Sequence, residues 1–353
     1  MKKKTLYITL GIIAIIVGFI TLLASYTSPL SEAKKEIKKA ETAEELVQIW
    51  DTFANDVNES TSKKILTAIN DRAEELELET NDMSELIDRL PKGEKSMNVI
   101  VVPDLSRRII DEYNNPDQIA NDQMIIETIW EEFVKVSKFK KQSNDFFSVN
   151  VTDMDQAKGA FSSIANNLRL DLSEKEKNQP NRTLFNDSLD QIVKTNVSKL
   201  YAAAQQQPLG ADYKFYFRRY LPNQLKTPDL KSNYRNKLVI ITDGYLEGEN
   251  QPVDTKIIGY EKELKAAVLN GTIDQTIKQL GLSIPAVAVD LSHTDVLICE
   301  VNERKIGKGY HFEILQSYWT QWLESMGAKS ITFIGREQST QQTQKQIRQF
   351  FKK

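Results

Sequence analysis

Two aspartates that end apolar runs are the residues best placed to do chemistry. Asp104 follows Asn98-Val-Ile-Val-Val-Pro103 and opens Asp104-Leu-Ser106-Arg-Arg108; Asp243 follows Lys237-Leu-Val-Ile-Ile-Thr242 and precedes Gly244. Runs of Val and Ile without polar alternation predict strands buried on both faces, as in a parallel sheet covered by helices. Ligands of such sheets bind beyond the carboxyl ends of the strands. Two carboxylates and the Ser106 hydroxyl therefore reach one edge, and oxygen donors of this kind suit a hard cation.

Composition narrows the alternatives. The chain has 353 residues, one cysteine, two histidines and a net charge of −3. A single cysteine, Cys299, excludes an intrachain disulfide framework and a thiolate cluster. It lies in Val296-Leu-Ile-Cys-Glu-Val301 and reads as a small buried hydrophobe. With only His293 and His311, histidine zinc sites and histidine triads are poorly supplied. The acidic balance carries no nucleic-acid footprint, and no nucleic-acid partner is expected.

The elements that must position the aspartates alternate from residue 96 onward. Periodicity predicts strands at 99–103, 146–151, 238–242, 284–289, 296–301 and 330–334. Helices are expected at 123–139, 184–204, 260–280 with a break near Asn270-Gly271, 311–326 and 341–351. This is the pattern of a doubly wound, Rossmann-like α/β sheet flanked by helices. Residues 29–93 read instead as two or three short amphipathic helices, with Ser31 as a candidate cap. The expected division is an N-terminal membrane anchor (1–28), a helical stalk or hairpin (29–93) and the α/β domain (94–353).

The motifs give that domain a family likeness. Asp104-Leu-Ser106 after the first strand and Thr242-Asp243-Gly244 after a later one resemble a von Willebrand factor A domain over residues ~96–353. The resemblance implies a metal-ion-dependent adhesion site, built from Asp-x-Ser-x-Ser, a threonine from a central loop and a later aspartate. Asp104, Ser106 and Asp243 match it, and Thr183 in Asn181-Arg-Thr-Leu-Phe185 is the candidate threonine. It implies Mg²⁺, with Mn²⁺ or Ca²⁺ as alternatives, and a protein partner whose acidic residue completes the coordination. One position departs: Arg108 stands where the family has serine. A hydroxyl ligand is thereby lost, and Arg108 can instead pair with Asp104 or Asp243 in place of a metal.

Several other features have plainer readings. Asp153 and Asp155 form either a carboxylate pair or a turn, and Asp290-Leu-Ser292 ends a strand. The aromatic and basic stretch 213–220 is read as packed on the domain or contacting a protein, and Trp319 and Trp322 as core. At the N-terminus, Lys2, Lys3 and Lys4 precede the uncharged segment 5–26. At ~1.5 Å per residue that segment spans ~33 Å, enough for a lipid bilayer. The expectation is a single-pass protein of a bacterial inner membrane, with the C-terminal domain outside the cytoplasm. The function expected is a protein-binding receptor or scaffold in an envelope assembly. A metal-dependent phosphoester hydrolase and a metal-free structural subunit are the alternatives.

Overall fold

The structure is a computed structural model that describes residues 28–53, 57–78, 82, 86, 89–90, 96–111, 116–138, 140, 144–152, 160–174, 184–208, 211–227, 234–246, 254–304, 310–328, 330–336 and 339–352. The chain separates into two compact units, one of residues 1–93 with 228–233 and one of 94–227 with 234–353.

In the first unit, α1 (Pro29–Lys39), α2 (Ala43–Phe53) and α3 (Glu59–Glu75) are described. They enclose an apolar cluster that includes Ala33, Ile37, Leu46, Val47, Ile65, Ile69 and Ala73. Proline at the first helical position starts α1, and its cap is Ser28 rather than Ser31: the Ser28 hydroxyl accepts from Ser31 N at 3.3 Å. Arg72 of α3 donates from Nε to the Ala40 carbonyl at 3.1 Å, satisfying a carbonyl at the C-terminal end of α1.

The expectation of a single-pass membrane protein is corrected. Among the described residues no helix is long and apolar enough to cross a membrane. The segment 5–26, on which that expectation and the lipid contact rested, lies outside them.

The second unit is a mixed α/β domain around a six-stranded sheet of order β3-β2-β1-β4-β5-β6. Its strands are β1 (Ser96–Pro103), β2 (Phe146–Val149), β3 (Arg169–Asp171), β4 (Tyr234–Ile241), β5 (Thr294–Val301) and β6 (Ser330–Gly335). All neighbours pair in parallel except β2 with β3, which are antiparallel. Both faces are covered, as the unalternated Val/Ile runs require. Val99, Val101, Val239, Ile241, Leu297 and Cys299 face one core. That core is closed by α4 (Gln118–Ser137), α5 (Ala160–Asn167), α6 (Asp187–Gln206) and α11 (Thr340–Lys352). Ile100, Val102, Leu238, Ile240, Val296 and Ile298 face the other. There α7 (Tyr213–Arg219), α8 (Glu261–Leu269), α9 (Ile273–Gln279) and α10 (His311–Glu324) pack, with Trp319 and Trp322 fully buried.

One expected strand is absent. Residues 284–289 are not paired into the sheet. Leu282 and Ile284 are buried while Ser283 and Pro285 are exposed, so the burial alternates as a strand's would. Pro285 has no N–H to give to a ladder; its carbonyl accepts from Trp322 Nε1 at 3.0 Å. The stretch 213–220 is mostly helix, since Tyr213, Tyr216 and Phe217 share one buried face. The break near Asn270-Gly271 separates α8 from α9, with Gly271 at φ 66°.

Candidate functional site

The aspartate edge forms because β1 and β4 are neighbours in register, Pro103 lying opposite Ile241. Asp104 N donates to the Ile241 carbonyl at 2.8 Å, so the two strands release their loops together. Asp104 Oδ1 accepts from Ser106 N at 2.9 Å, and Oδ2 accepts from the Thr242 hydroxyl at 3.1 Å. Asp104, Thr242 and Asp243 are all buried. Gly244 turns the chain away at φ 95°, and its carbonyl accepts from Trp319 Nε1 at 2.9 Å.

A side chain at Gly244 has no room. A Cβ there would stand 3.0 Å from Val301 Cγ1 and 3.3 Å from Leu315 Cδ1, in a conformation that L residues resist. Gly244→Ala is therefore expected to cost about 2 kcal/mol or more in denaturant unfolding. A loss under ~0.5 kcal/mol would mean that the turn relaxes freely.

Arg108 decides the character of the edge. Ser106 caps the short 3₁₀ turn Arg107–Ile110, which carries Arg108 back beneath the aspartates. Its guanidinium is buried: Nε lies 3.1 Å from the Asp104 carbonyl and 3.3 Å from Asp104 Oδ2. Nη2 reaches Asp122 Oδ2 at 2.6 Å and the Ile241 carbonyl at 3.2 Å. Tyr201 OH adds a bond to Asp122 Oδ2 at 3.0 Å, and Gln118 Nε2 one to Oδ1 at 2.7 Å. Burial alone would disfavour the charge on Arg108, but Asp122 and then Asp104 outweigh it and hold the group firmly protonated.

A second guanidinium covers Asp243. Arg304 Nε lies 2.7 Å from Asp243 Oδ2, and Tyr245 N donates to Oδ1 at 3.2 Å. Burial raises the Asp243 pKa, Arg304 pulls it back and Asp104 pushes it up again. The Arg304 guanidinium stacks 4.4 Å from the Tyr245 ring centroid. Tyr245 OH in turn meets His311 Nδ1 at 2.7 Å, and burial lifts its hydroxyl pKa to about 12.

The structure thus brings Asp104, Ser106 and Asp243 to one edge, whereas Thr183 lies outside the described residues, as do Asp153 and Asp155. As they stand these residues do not fit a resident metal. All four oxygens of Asp104 and Asp243 accept from protein donors, and the third motif position is a buried arginine. Among the described residues no cluster of His, Cys, Asp or Glu is gathered for a metal ion. Asp290 Oδ1 merely accepts from Ser292 N at 2.9 Å and ends its loop as a turn.

Sequence reasoning missed Asp122, Glu300 and Arg304. Asp122 left a signal, a carboxylate on the same helical stripe as Ile126, Ile129 and Phe133. Glu300 did too, as a charge inside the run 296–301. Arg304 left none, because its loop carries no pattern.

No family model matches the chain, and no curated protein matches it. Among solved structures the chain is similar to the pilus adhesin SpaC from Lactobacillus rhamnosus GG, at 10% identity and a TM-score of 0.34. The match covers 74% of this chain and 30% of that one, so the chain spans less than a third of the adhesin's length. Likeness at that level carries no argument about fold or function.

Proposed function

We propose that residues 94–353 form a binding module of the von Willebrand factor A type, which recognises a protein at the carboxyl edge of β1 and β4 without a resident metal. The observation that carries this reading is the meeting of the Asp104 and Asp243 loops where the strand order reverses, the place where open α/β sheets bind ligands. The charge a metal would supply is provided by Arg108 from beneath and Arg304 from the surface side. The Arg304 side chain is 38% exposed against 3% for Asp243, so the edge offers a cation to an acidic side chain of the partner.

Hydrolysis of phosphoesters fits less well, because both aspartates are already engaged by protein donors and guanidinium groups.

The test is quantitative capture of a partner by the immobilised full chain, with and without EDTA, compared with Arg304→Glu. EDTA is expected to leave capture unchanged and Arg304→Glu to weaken it at least about tenfold. Loss of capture in EDTA would return the metal to the site. Equal capture by Arg304→Glu would move recognition away from this edge. Millimolar Mg²⁺ is likewise expected to shift Tm by less than about 1 °C, since an ion that does not bind the folded chain cannot stabilise it.

A further inference from the structure

A second group of charges lies behind the aspartate edge, and the binding reading makes no use of it. Glu300 occupies β5 at the point where the register against β6 shifts, between Cys299 and Val301. Its φ is 69°, a conformation strained for any residue with a Cβ. The carboxylate is buried and Oε2 accepts from Gln118 Nε2 at 3.3 Å, while Arg336 Nε stands 4.0 Å away.

Arg336 follows β6 and holds the start of α4. Nη1 donates to Gln118 Oε1 at 2.7 Å, and Nη2 donates to the Pro116 carbonyl. Asp117, between those two residues, is itself left-handed at φ 57° and makes no side-chain cap. Among the described residues three non-glycine positions have positive φ, and two of them flank this one arginine. Sparsely populated backbone conformations of this kind cluster at switch regions.

The distances say which group moves. Asp104, Asp122 and Asp243 each have an arginine nitrogen within 3.3 Å, whereas the cation beside Glu300, Arg336, stands 4.0 Å away with its shorter bonds on neutral acceptors. Asp122 and Gln118 face it from α4, Arg108 from the turn after β1, Arg336 from the end of β6, and the neutral Cys299 thiol adjoins it on β5. Tyr201 of α6 reaches the cluster through Asp122. Burial and the Asp122 charge push the Glu300 carboxyl up from 4.5 to about 7, against the pull of Arg336 and Arg108.

We propose that Glu300, Gln118 and Arg336 form a proton-operated latch, in which Arg336 fastens the start of α4 to the end of β6 while Glu300 is protonated and is drawn off it when Glu300 ionises. With the proton on, Arg336 stays on Gln118 and Pro116. With the proton lost, the nearest partner for the new charge is that same guanidinium, and turning toward Glu300 takes it off α4. Gln118 also holds Asp122, which holds Arg108, which holds Asp104. The latch therefore ends at the aspartate edge, although it does not depend on what binds there. The sign follows from linkage: an acid whose pKa is raised on folding contributes stability that is full below about pH 4.5 and is lost as pH rises through about 7.

Hydrogen exchange of the full chain tests this, with rates corrected for intrinsic pH dependence, from about pH 5.5 to 8.5. In the wild type, protection of 118–124 is expected to fall about tenfold or more across that range. Glu300→Gln, a permanently neutral stand-in, is expected to keep the low-pH protection throughout. Arg336→Gln removes the fastener itself and is expected to leave 118–124 weakly protected at every pH in the range. A pH-independent wild type, or a transition that survives in Glu300→Gln, overturns the proposal. Should Glu300→Gln fail to fold, wild-type protection with an unchanged pH transition in Arg336→Gln overturns it equally.

Discussion

Arg108→Ala is expected to destabilise the α/β domain by about 3–5 kcal/mol, the range for removing one partner of a buried ion pair. The loss is large because four groups on three residues depend on this guanidinium. Asp122 is fully buried and would keep Tyr201 and Gln118 but lose its only cation at bonding distance among the described residues. Asp104 would lose a contact at 3.3 Å, and the carbonyls of Asp104 and Ile241 would each lose a donor. Arg108→Lys cannot reproduce a fork that serves Asp104 and Asp122 together, so it is expected to recover under half of the loss. The pair Arg108→Met with Asp122→Asn removes both charges and should be markedly milder than the sum of the single changes. Chemical denaturation with a matched m-value measures all three. A loss below about 1 kcal/mol for Arg108→Ala would mean that the pair contributes little to folding.

Lys237→Ala is the second large effect, at about 2–4 kcal/mol. Lys237 lies in the central strand β4 and is fully buried, an unusual place for an ammonium. Contacts to an aspartate and to the end of α11 hold it there. Nζ is 2.8 Å from Asp295 Oδ2, donates to the Phe350 carbonyl at 3.0 Å and sits 4.3 Å from the Phe350 ring centroid. Phe350 belongs to the last turn of α11, where carbonyls lack helical partners and cations are favoured. The lysine thus caps the C-terminal helix from within the sheet. Burial would raise the Asp295 pKa, but Lys237 and Arg235 outweigh it and hold the carboxyl below its usual value. That contribution is present above the unfolded carboxylate pKa and is lost as pH falls through the lower folded one. Lys237→Met restores the packing without the charge and should recover part of the loss, leaving the Phe350 carbonyl bare. Equal stability of all three proteins by urea unfolding would show that α11 docks without its cap.

How much of this the sequence disclosed depended on whether a residue announced itself locally. Val99, Val101, Val239 and Ile241 gave the central strands, because unbroken apolar runs have few other uses. Asp104 and Asp243 stood out as the charges that end those runs, and Arg108 as the residue out of pattern. What the sequence could not convey was partnership. Arg108 has its strongest contact in Asp122, on the next helix, and Asp243 pairs with Arg304 from a loop without periodicity. Residues 284–289 misled for a related reason: they alternate toward a core as a strand does, yet no neighbouring strand pairs with them. The short β3 was not foreseen either, since Arg169-Leu-Asp171 offers too few residues for any period.

Cys299 has a practical bearing beyond its place in the core. It is the chain's one thiol and is fully buried, and burial raises its pKa well above the ordinary range. Thiol reagents react with the thiolate, so the native protein should be silent to them. Its position in β5, next to the bulge at Glu300, turns that silence into a built-in reporter: the rate of alkylation counts how often the sheet opens. A cysteine introduced on the surface would be labelled alone, without first removing the native one.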